Sequence, residues 1–236
     1  MNTASKQPRN LLSVATLLAS GCLLLVSLTG GSGAADKPAP APAKPATPDS
    51  KTNAALAWKN LFDGKTLAGW RASDFAGRGE VEVKDGQLIL NTGSMTGITW
   101  TNELPRMNYE ISVEAMRVEG SDFFCGLTFP VGKDPCSLIV GGWGGGVVGL
   151  SSLDGQDAAN NETTRYVTFK EKQWYHIRLQ VTPKSIQAWI DADNVVDVTT
   201  EEKTFSIRLE MEESKPLGIA TWSTTAALRN IKIRKL

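Results

Sequence analysis

The sequence is poor in the side chains that bind transition metals most often. Its 236 residues include one histidine, His176, and three cysteines. A centre built from several histidines is therefore excluded, and any bound ion would need oxygen ligands. Carboxylates in the second half of the chain leave calcium open, but their spacing matches no calcium-binding loop. We expect no cofactor.

The sequence also lacks an excess of charge of either sign. It has 25 basic and 25 acidic residues, and setting aside the N-terminal Lys6 and Arg9 leaves 23 basic residues. A protein that binds nucleic acid through its phosphates normally carries a clear positive excess. We therefore expect no nucleic-acid partner.

Residues 1–35 read as a targeting segment. Leu11–Leu28 is apolar and uncharged, follows a polar stretch with two positive charges, and leads into small residues. This order is typical of a signal peptide cut after Ala34 or Ala35, although a run of this length could also remain as a membrane anchor. Lipidation at Cys22 is a third interpretation. All three predict export, so that the remainder is secreted, periplasmic or membrane-anchored, and touches the membrane only through this segment.

Residues 36–56 are predicted to form a linker. Lys37–Pro48 reads KPAPAPAKPATP. Repeated prolines favour an extended polyproline II spacer and do not build a packed core. The folded domain is therefore expected to occupy residues 57–236.

The domain lacks a sustained helical period, apart from a short helical turn that Thr200–Glu213 could hold. Its short segments instead alternate apolar and polar residues between turn signals, as in Tyr109–Val118, Trp174–Thr182 and Leu228–Lys235. The residues predicted to share one face are Tyr109, Ile111, Val113, Ala115 and Arg117 in the first segment, Tyr175, Ile177, Leu179 and Val181 in the second, and Arg229, Ile231, Ile233 and Lys235 in the third, opposite Leu228, Asn230, Lys232 and Arg234. Asp85-Gly86 marks a hairpin. About a dozen short strands over roughly 180 residues predict an all-β fold, an antiparallel two-sheet sandwich of jelly-roll type.

The segment Gly141–Gly146 is unusual because five of its six residues are glycine and the sixth is Trp143. Glycine weakens a strand unless the backbone turns sharply or another group approaches closely. The ring of Trp143 could stack on a sugar, and we predict that Trp143 and the nearby Asp154 bind a carbohydrate or glycoside ligand. A flexible hairpin tip with an incidental tryptophan is the alternative.

The two cysteines of the domain, Cys125 and Cys136, flank a predicted turn at Val131–Pro135. In an oxidising compartment this arrangement predicts a disulfide between neighbouring strands. Two free thiols packed in the core are the alternative. His176 lies on the polar face of its predicted strand, and a lone histidine without an evident partner favours a surface role.

Leu61–Trp70, which reads LFDGKTLAGW, resembles the opening signature of the 3-keto-disaccharide hydrolase domain family. The likeness extends to the closing strands Leu217–Leu236, where Arg229-Asn230-Ile231 is similar to the family's Arg-Asn-Ile, and it covers nearly all of residues 58–236. This family implies a concanavalin A-like jelly roll. The Glu-x-Asp-x-x-Glu array of family 16 glycosidases is absent from the sequence, so glycoside hydrolysis of that kind is not supported.

The resemblance implies a substrate with a ketone at sugar C3, which acidifies the proton on C2. A carboxylate would remove that proton, the group at C1 would leave by elimination, and hydration would complete a hydrolysis. We predict Asp157 or Glu162 as the base and Arg165 as the donor to the enolate oxygen, with a solvated polar loop as the alternative. Trp222–Thr225 replaces a histidine common in the family. A non-catalytic lectin-like or laminin-G-like module that binds glycan or protein is therefore the second functional hypothesis.

Overall fold

A computed structural model describes residues 57–236 of the chain. The predicted signal or anchor segment 1–35, which includes Cys22, and the predicted linker 36–56 lie outside the described residues. Within residues 57–236, no helix is both long and apolar enough to cross a membrane.

Over these residues the chain forms fifteen strands and one short 3-10 helix. The strands are Lys59–Asn60 (β1), Trp70–Ala72 (β2), Val81–Lys84 (β3), Gln87–Leu90 (β4), Met95–Trp100 (β5), Tyr109–Gly120 (β6), Cys125–Val131 (β7), Asp134–Gly142 (β8), Val147–Ser151 (β9), Arg165–Tyr166 (β10), Trp174–Val181 (β11), Ser185–Ile190 (β12), Asp193–Thr199 (β13), Gly218–Trp222 (β14) and Thr224–Lys235 (β15). The 3-10 helix, Leu209–Ser214, overlaps the segment expected to hold a helical turn.

The strands make two antiparallel sheets. Sheet I has the order β13-β12-β11-β6-β15-β4-β3, and β1 also pairs with β15. Sheet II has the order β10-β9-β8-β7-β14-β5-β2. This two-sheet arrangement confirms the predicted all-β jelly-roll sandwich.

The core lies between the sheets because alternate residues of each strand point inward. In β6 the inward residues are Tyr109, Ile111, Val113, Ala115 and Arg117, and all five are buried. Strand β11 contributes Tyr175, Ile177, Leu179 and Val181 in the same way. The predicted inner faces of these two strands are therefore correct.

Strand β15 departs from the strict alternation that the sequence suggests. Leu228, Ile231 and Ile233 are all buried. Leu228 and Ile231 are three positions apart, so in a regular strand they would lie on opposite faces. The pairing of β15 with β6 shifts between Arg229 and Lys232, and Asn230 adopts the left-handed conformation with φ of 53°. The extra residue of this bulge restores the buried face beyond it.

The predicted disulfide between Cys125 and Cys136 is wrong. Both thiols are free and buried. Strands β7 and β8 pair Cys125 with Val140, whereas Cys136 pairs with Phe129. Phe129 lies four residues from Cys125, roughly 13 Å along the strand, which exceeds the separation that a disulfide can bridge. Burial raises the pKa of each thiol to about 12.

Tryptophans stacked by arginines cover part of the outer face of sheet I. The guanidinium carbons of Arg178, Arg229 and Arg234 lie 4.6, 4.0 and 4.7 Å from the ring centres of Trp189, Trp174 and Trp58, respectively. Such cation–π contacts hold both partners against the sheet. Phe62 and Trp70, in contrast, are buried in the core.

Candidate functional site

The outer face of sheet II is built from small residues that let aromatic and methionine side chains lie close to the backbone. A Cβ atom placed on Gly126 of β7 would lie 2.9 Å from the Phe123 ring and 3.3 Å from Met211. One placed on Gly97 of β5 would lie 2.9 Å from the Phe75 ring. The 3-10 helix that carries Met211 packs against β5 and β14. Glycine is therefore required where these side chains meet the sheet.

A cleft of about 240 Å³ opens on this face. Its lining combines apolar surface with acidic and basic groups. The lining residues are Met95, Asp122, Phe123, Ile139, Trp143, Ser151, Arg208, Glu210, Met211 and Trp222. An apolar cleft with a few convergent polar groups is the usual form of a small-ligand site.

Two tryptophans leave a large part of their rings exposed in the cleft. Trp143 is 44% exposed and Trp222 is 39% exposed. Trp143 follows β8 in the left-handed conformation with φ of 49°, and Ser223, directly after Trp222, has φ of 44°. Non-glycine residues adopt this conformation rarely, and it often accompanies functional sites. Exposed aromatic faces of this kind are suited to the apolar faces of sugar rings.

Asp122 carries the carboxylate that the loops hold most firmly in the cleft. Its Oδ1 accepts a hydrogen bond from the backbone N–H of Phe123 at 2.8 Å. Its Oδ2 accepts one from the backbone N–H of Gly144 at 3.1 Å. These two bonds fix the carboxylate against the glycine loop, and each oxygen keeps a second lone pair for a ligand.

Arg208 supplies the positive charge of the cleft. Its Nη2 donates to Glu210 Oε1 at 3.0 Å, and its Nη1 donates to Asp157 Oδ2 at 3.4 Å. The hydrogen bond from Arg208 is the main reason why the pKa of Glu210 lies below its ordinary value. Two carboxylates thus hold the guanidinium in one orientation.

The residues that the sequence singled out lie in different parts of the structure. Trp143 lines the cleft, and Asp157 reaches it through Arg208. The carboxylates of Asp154 and Glu162 both form ion pairs with Lys203 Nζ, at 3.1 and 2.9 Å, and neither residue lines the cleft.

Arg165 lies apart from them, in a second groove of about 360 Å³ next to the exposed Tyr166. Asp157, Glu162 and Arg165 therefore have different partners. The assignment of the base to Asp157 or Glu162 stays a separate prediction, which substitution at these positions would test.

Among the ten lining residues, sequence reasoning assigned a role in a site only to Trp143. The residues that it missed include Asp122, Arg208, Glu210 and Trp222, which supply the charges and the second exposed tryptophan of the cleft. Asp122 lies in the short loop between β6 and β7, where a single acidic residue gives no pattern. Arg208 and Glu210 belong to a segment read only for its helical turn. Trp222 alone had a signal, since it stands where the resembled family often has a histidine.

Metal binding receives no support from side-chain clustering in this part of the chain. Within residues 57–236, no group of three or more His, Cys, Asp or Glu side chains is arranged to hold an ion.

Comparison with known proteins adds a family match that covers most of the chain. Residues 57–234 match the 3-keto-alpha-glucoside-1,2-lyase-like domain. No curated protein sequence matches the chain significantly.

Solved structures with a similar fold share little sequence with this chain. A protein of Parabacteroides distasonis proposed to be a glycosyl hydrolase is 14% identical, with a TM-score of 0.51, over 80% of this chain and 98% of that one. The Crh5 transglycosylase in complex with NAG is 13% identical, with a TM-score of 0.55, over 77% and 85%. A Bacillus subtilis protein of unknown function with a galectin-like fold is 10% identical, with a TM-score of 0.53, over 76% and 95%. At these identities the likeness extends to the fold alone.

Proposed function

This chain belongs to the 3-keto-alpha-glucoside-1,2-lyase-like domain family, and on that premise we propose that its cleft on sheet II binds a 3-keto-glucoside and cleaves it by elimination followed by hydration. The observation that carries the proposal is the cleft itself, where Asp122 and Arg208 line the same 240 Å³ space as two exposed tryptophans. A carboxylate, a guanidinium and aromatic faces are the three kinds of group that this reaction needs.

Binding is assigned to the tryptophans. The exposed rings of Trp143 and Trp222 offer apolar surfaces to the C–H faces of a sugar, while Phe123 lies with its ring centre 6.4 Å from that of Trp222. Stacking excludes water from the cleft and orients the sugar without contacting its reacting atoms. The polar groups of the cleft remain available to the carbons that react.

Proton removal is assigned to Asp122. Its carboxylate takes the proton from C2, and the electrons of the C–H bond form a C2–C3 double bond while the ketone oxygen becomes an enolate. Arg208 donates to this oxygen and stabilises the negative charge that develops there. Glu210 and Asp157 keep the guanidinium oriented throughout.

Elimination and hydration follow from the enolate. The C3 carbonyl re-forms, a double bond forms between C1 and C2, and the bond from C1 to the leaving oxygen breaks. The departing oxygen takes a proton, which protonated Asp122 can supply. Water then adds its hydroxyl to C1 and a proton to C2, so that the overall change is hydrolysis to 3-keto-glucose and the released alcohol.

Turnover of a 3-keto-disaccharide beside its unoxidised parent tests this proposal. We expect release of monosaccharide from the 3-keto compound alone, because only its C2 proton is acidic. In D₂O the released 3-keto-glucose should carry deuterium at C2, beyond the exchange of protein-free 3-keto-glucose. Release from neither compound, or release without deuterium at C2, would contradict the proposal.

A glycan-binding module without catalysis is the second candidate. One observation favours it: both oxygens of Asp122 already accept backbone hydrogen bonds, so this carboxylate has a structural role in joining the two loops that requires no catalysis. Saturable binding of the 3-keto-disaccharide with no product after prolonged incubation would favour this candidate over the enzyme.

The proposal extends to location. The apolar segment Leu11–Leu28 and the proline-rich spacer Lys37–Pro48 favour a domain that acts outside the cytoplasm. N-terminal sequencing of the mature protein checks this, because a start near Ala35 or Asp36, a modified Cys22 and an intact N-terminus correspond to cleavage, lipidation and anchoring.

A further inference from the structure

Arg117 is a buried cation on the inner side of sheet I. It lies on β6 of sheet I, points into the sandwich and is 5% exposed. No carboxylate of residues 57–236 forms an ion pair with it. The carboxylates of Asp122 and Glu171 act on it only from a distance, and burial lowers the pKa of Arg117, because taking a charge out of water without a direct ion pair costs folding free energy. The buried position of Arg117 therefore needs an explanation other than an ion pair.

The guanidinium instead binds main-chain oxygens of two loops. Its Nη2 donates to the carbonyl oxygens of Asp122 at 3.1 Å, Gly141 at 3.2 Å and Gly145 at 2.8 Å. The rings of Phe124 and Phe169 lie against its charge, 5.1 and 5.9 Å from the guanidinium carbon. These contacts fix the fork in place from several sides.

This contact explains part of the glycine run. A Cβ atom on Gly141 would lie 2.5 Å from Arg117 Nη2. Gly145 has φ of 107°, and a Cβ atom there would lie 3.0 Å from the Ser121 carbonyl oxygen and 3.3 Å from Arg117 Nη1. A side chain at Gly141 would displace either the guanidinium or the loop, and the positive φ of Gly145 disfavours any side chain there.

The two loops that Arg117 joins are those that bear the site. One carries Asp122, and the other carries Trp143 between Gly141 and Gly145. The Gly144 N–H that orients Asp122 Oδ2 belongs to the second loop. The position of the carboxylate and that of the tryptophan therefore depend on the same guanidinium.

We propose that Arg117 is a positioning residue that clamps the loop of Asp122 to the glycine loop of Trp143 and so sets the geometry of the glycoside cleft. As a role in catalysis this rests on the proposed function, whereas the clamp itself can be tested without turnover.

The test compares Arg117→Lys with Arg229→Lys, which changes an arginine on the outer face of sheet I. Amide hydrogen exchange followed by NMR reports on the Gly144 N–H directly. We expect Arg117→Lys to speed exchange at Gly144 by about tenfold or more, because the lysine side chain is one bond shorter and its ammonium cannot reach the position from which Arg117 Nη2 bonds all three carbonyls. Arg229→Lys should leave this rate as in the wild type. Unchanged exchange at Gly144 in folded Arg117→Lys would overturn the proposal.

A second pair of variants tests the clamp if Arg117→Lys does not fold. Gly145→Ala disturbs the same clamp from the loop, and Gly86→Ala introduces alanine at a comparable φ of 77° in a hairpin where no atom lies within 4 Å of the new Cβ. We expect faster Gly144 exchange in the first variant only. Equal Gly144 exchange in the two variants would overturn the clamp.

Kinetics separate this inference from the proposed function. If the wild type turns over 3-keto-disaccharide, Arg117→Lys should lower kcat more than it raises KM, since it disturbs the proposed base but only one of the two tryptophans, Trp222 lying outside the loops that Arg117 joins. An equal kcat in Arg117→Lys and wild type would overturn the catalytic part of the inference. If the wild type has no turnover, the proposed enzyme fails, and the exchange experiment still judges the clamp.

Discussion

The outer faces of the two sheets differ in what their polar groups do. On sheet I, Glu110 accepts hydrogen bonds from Arg178 and Arg234, and Glu114 accepts from Arg229 and Asn230. On sheet II, the cleft leaves aromatic faces exposed and offers polar groups to whatever enters it. A face whose charges satisfy one another stabilises the fold, whereas a face that keeps binding capacity in a cleft can recognise a ligand.

Replacing the cleft carboxylate should produce the largest effect. We expect Asp122→Asn to lower kcat on 3-keto-disaccharide by about 10²- to 10⁴-fold, the usual contribution of a general base, while the ligand still binds. Asp197→Asn, an exposed change on β13 of sheet I, is the control and should keep kcat within about twofold. Steady-state kinetics check both variants. Full activity in Asp122→Asn would show that Asp122 is not the base that removes the C2 proton.

Breaking the charge network of sheet I should affect stability and not turnover. The Glu110 side chain is 3% exposed and serves two arginines. We expect Glu110→Gln to lower the free energy of unfolding by about 2 kcal/mol, because two arginines that are themselves about a third exposed lose their counter-charge. Urea unfolding measures this loss, and kcat of the folded variant should stay unchanged. A large fall in kcat without loss of stability would contradict the separation of the two faces.

Removing one tryptophan from each face compares binding directly. Trp222 in the cleft and Trp58 on sheet I have nearly equal exposure, 39% and 38%. We expect Trp222→Ala to weaken binding of the 3-keto-disaccharide by about tenfold, since a stacking surface is lost. Trp58→Ala should leave the affinity unchanged. Calorimetric titration measures both, and equal losses would place part of the ligand outside the cleft.

Acid should weaken sheet I in a defined window. Burial acts to raise the pKa of Glu114, but hydrogen bonds from Asn230 and Arg229 outweigh it and hold this pKa below the ordinary 4.5. A carboxyl group whose pKa is lower in the folded protein than in the unfolded chain stabilises the fold fully at pH values above its unfolded pKa. This stabilisation is lost as the pH falls through the folded pKa. The stability difference between wild type and Glu114→Gln should therefore shrink on acidification. Urea titrations at neutral and acidic pH measure this stability difference, and a difference that grows on acidification would contradict the prediction.

Reductant should have the smallest effect. Cys125 and Cys136 are free and buried, and no disulfide joins them. We expect the melting temperature to change by less than about 1 °C with reductant, and both thiols to react with a thiol reagent only after unfolding. A large fall in melting temperature on reduction would show that the two strands pair in another register.

The sequence predicts the fold well because period-two alternation and turn residues are local signals. Tyr109–Val118 and Trp174–Thr182 are strands with the expected inner faces. The bulge at Asn230 could not be anticipated, since alternation alone cannot show where an extra residue enters. The disulfide failed for a related reason. Hairpin partners lie at equal distances from the turn, and Cys125 is further from it than Cys136.

The site was less accessible to sequence reasoning because it is assembled from distant segments. Trp143 stands out through its glycine neighbours. Asp122 does not, since its role depends on the Gly144 N–H, which reaches it across two paired strands. Arg208 enters the cleft only because its segment folds over sheet II. Interactions of this kind are set by strand register and packing, which a single sequence does not encode locally.

A crystal structure of Asp122→Asn with a 3-keto-disaccharide would show where the substrate binds and which groups face its reacting atoms. We expect a sugar ring against Trp143 and Trp222, with C2 facing residue 122 and the ketone oxygen within hydrogen-bond distance of Arg208. A sugar bound on sheet I or in the groove beside Tyr166, with the cleft left free of sugar, would contradict this expectation.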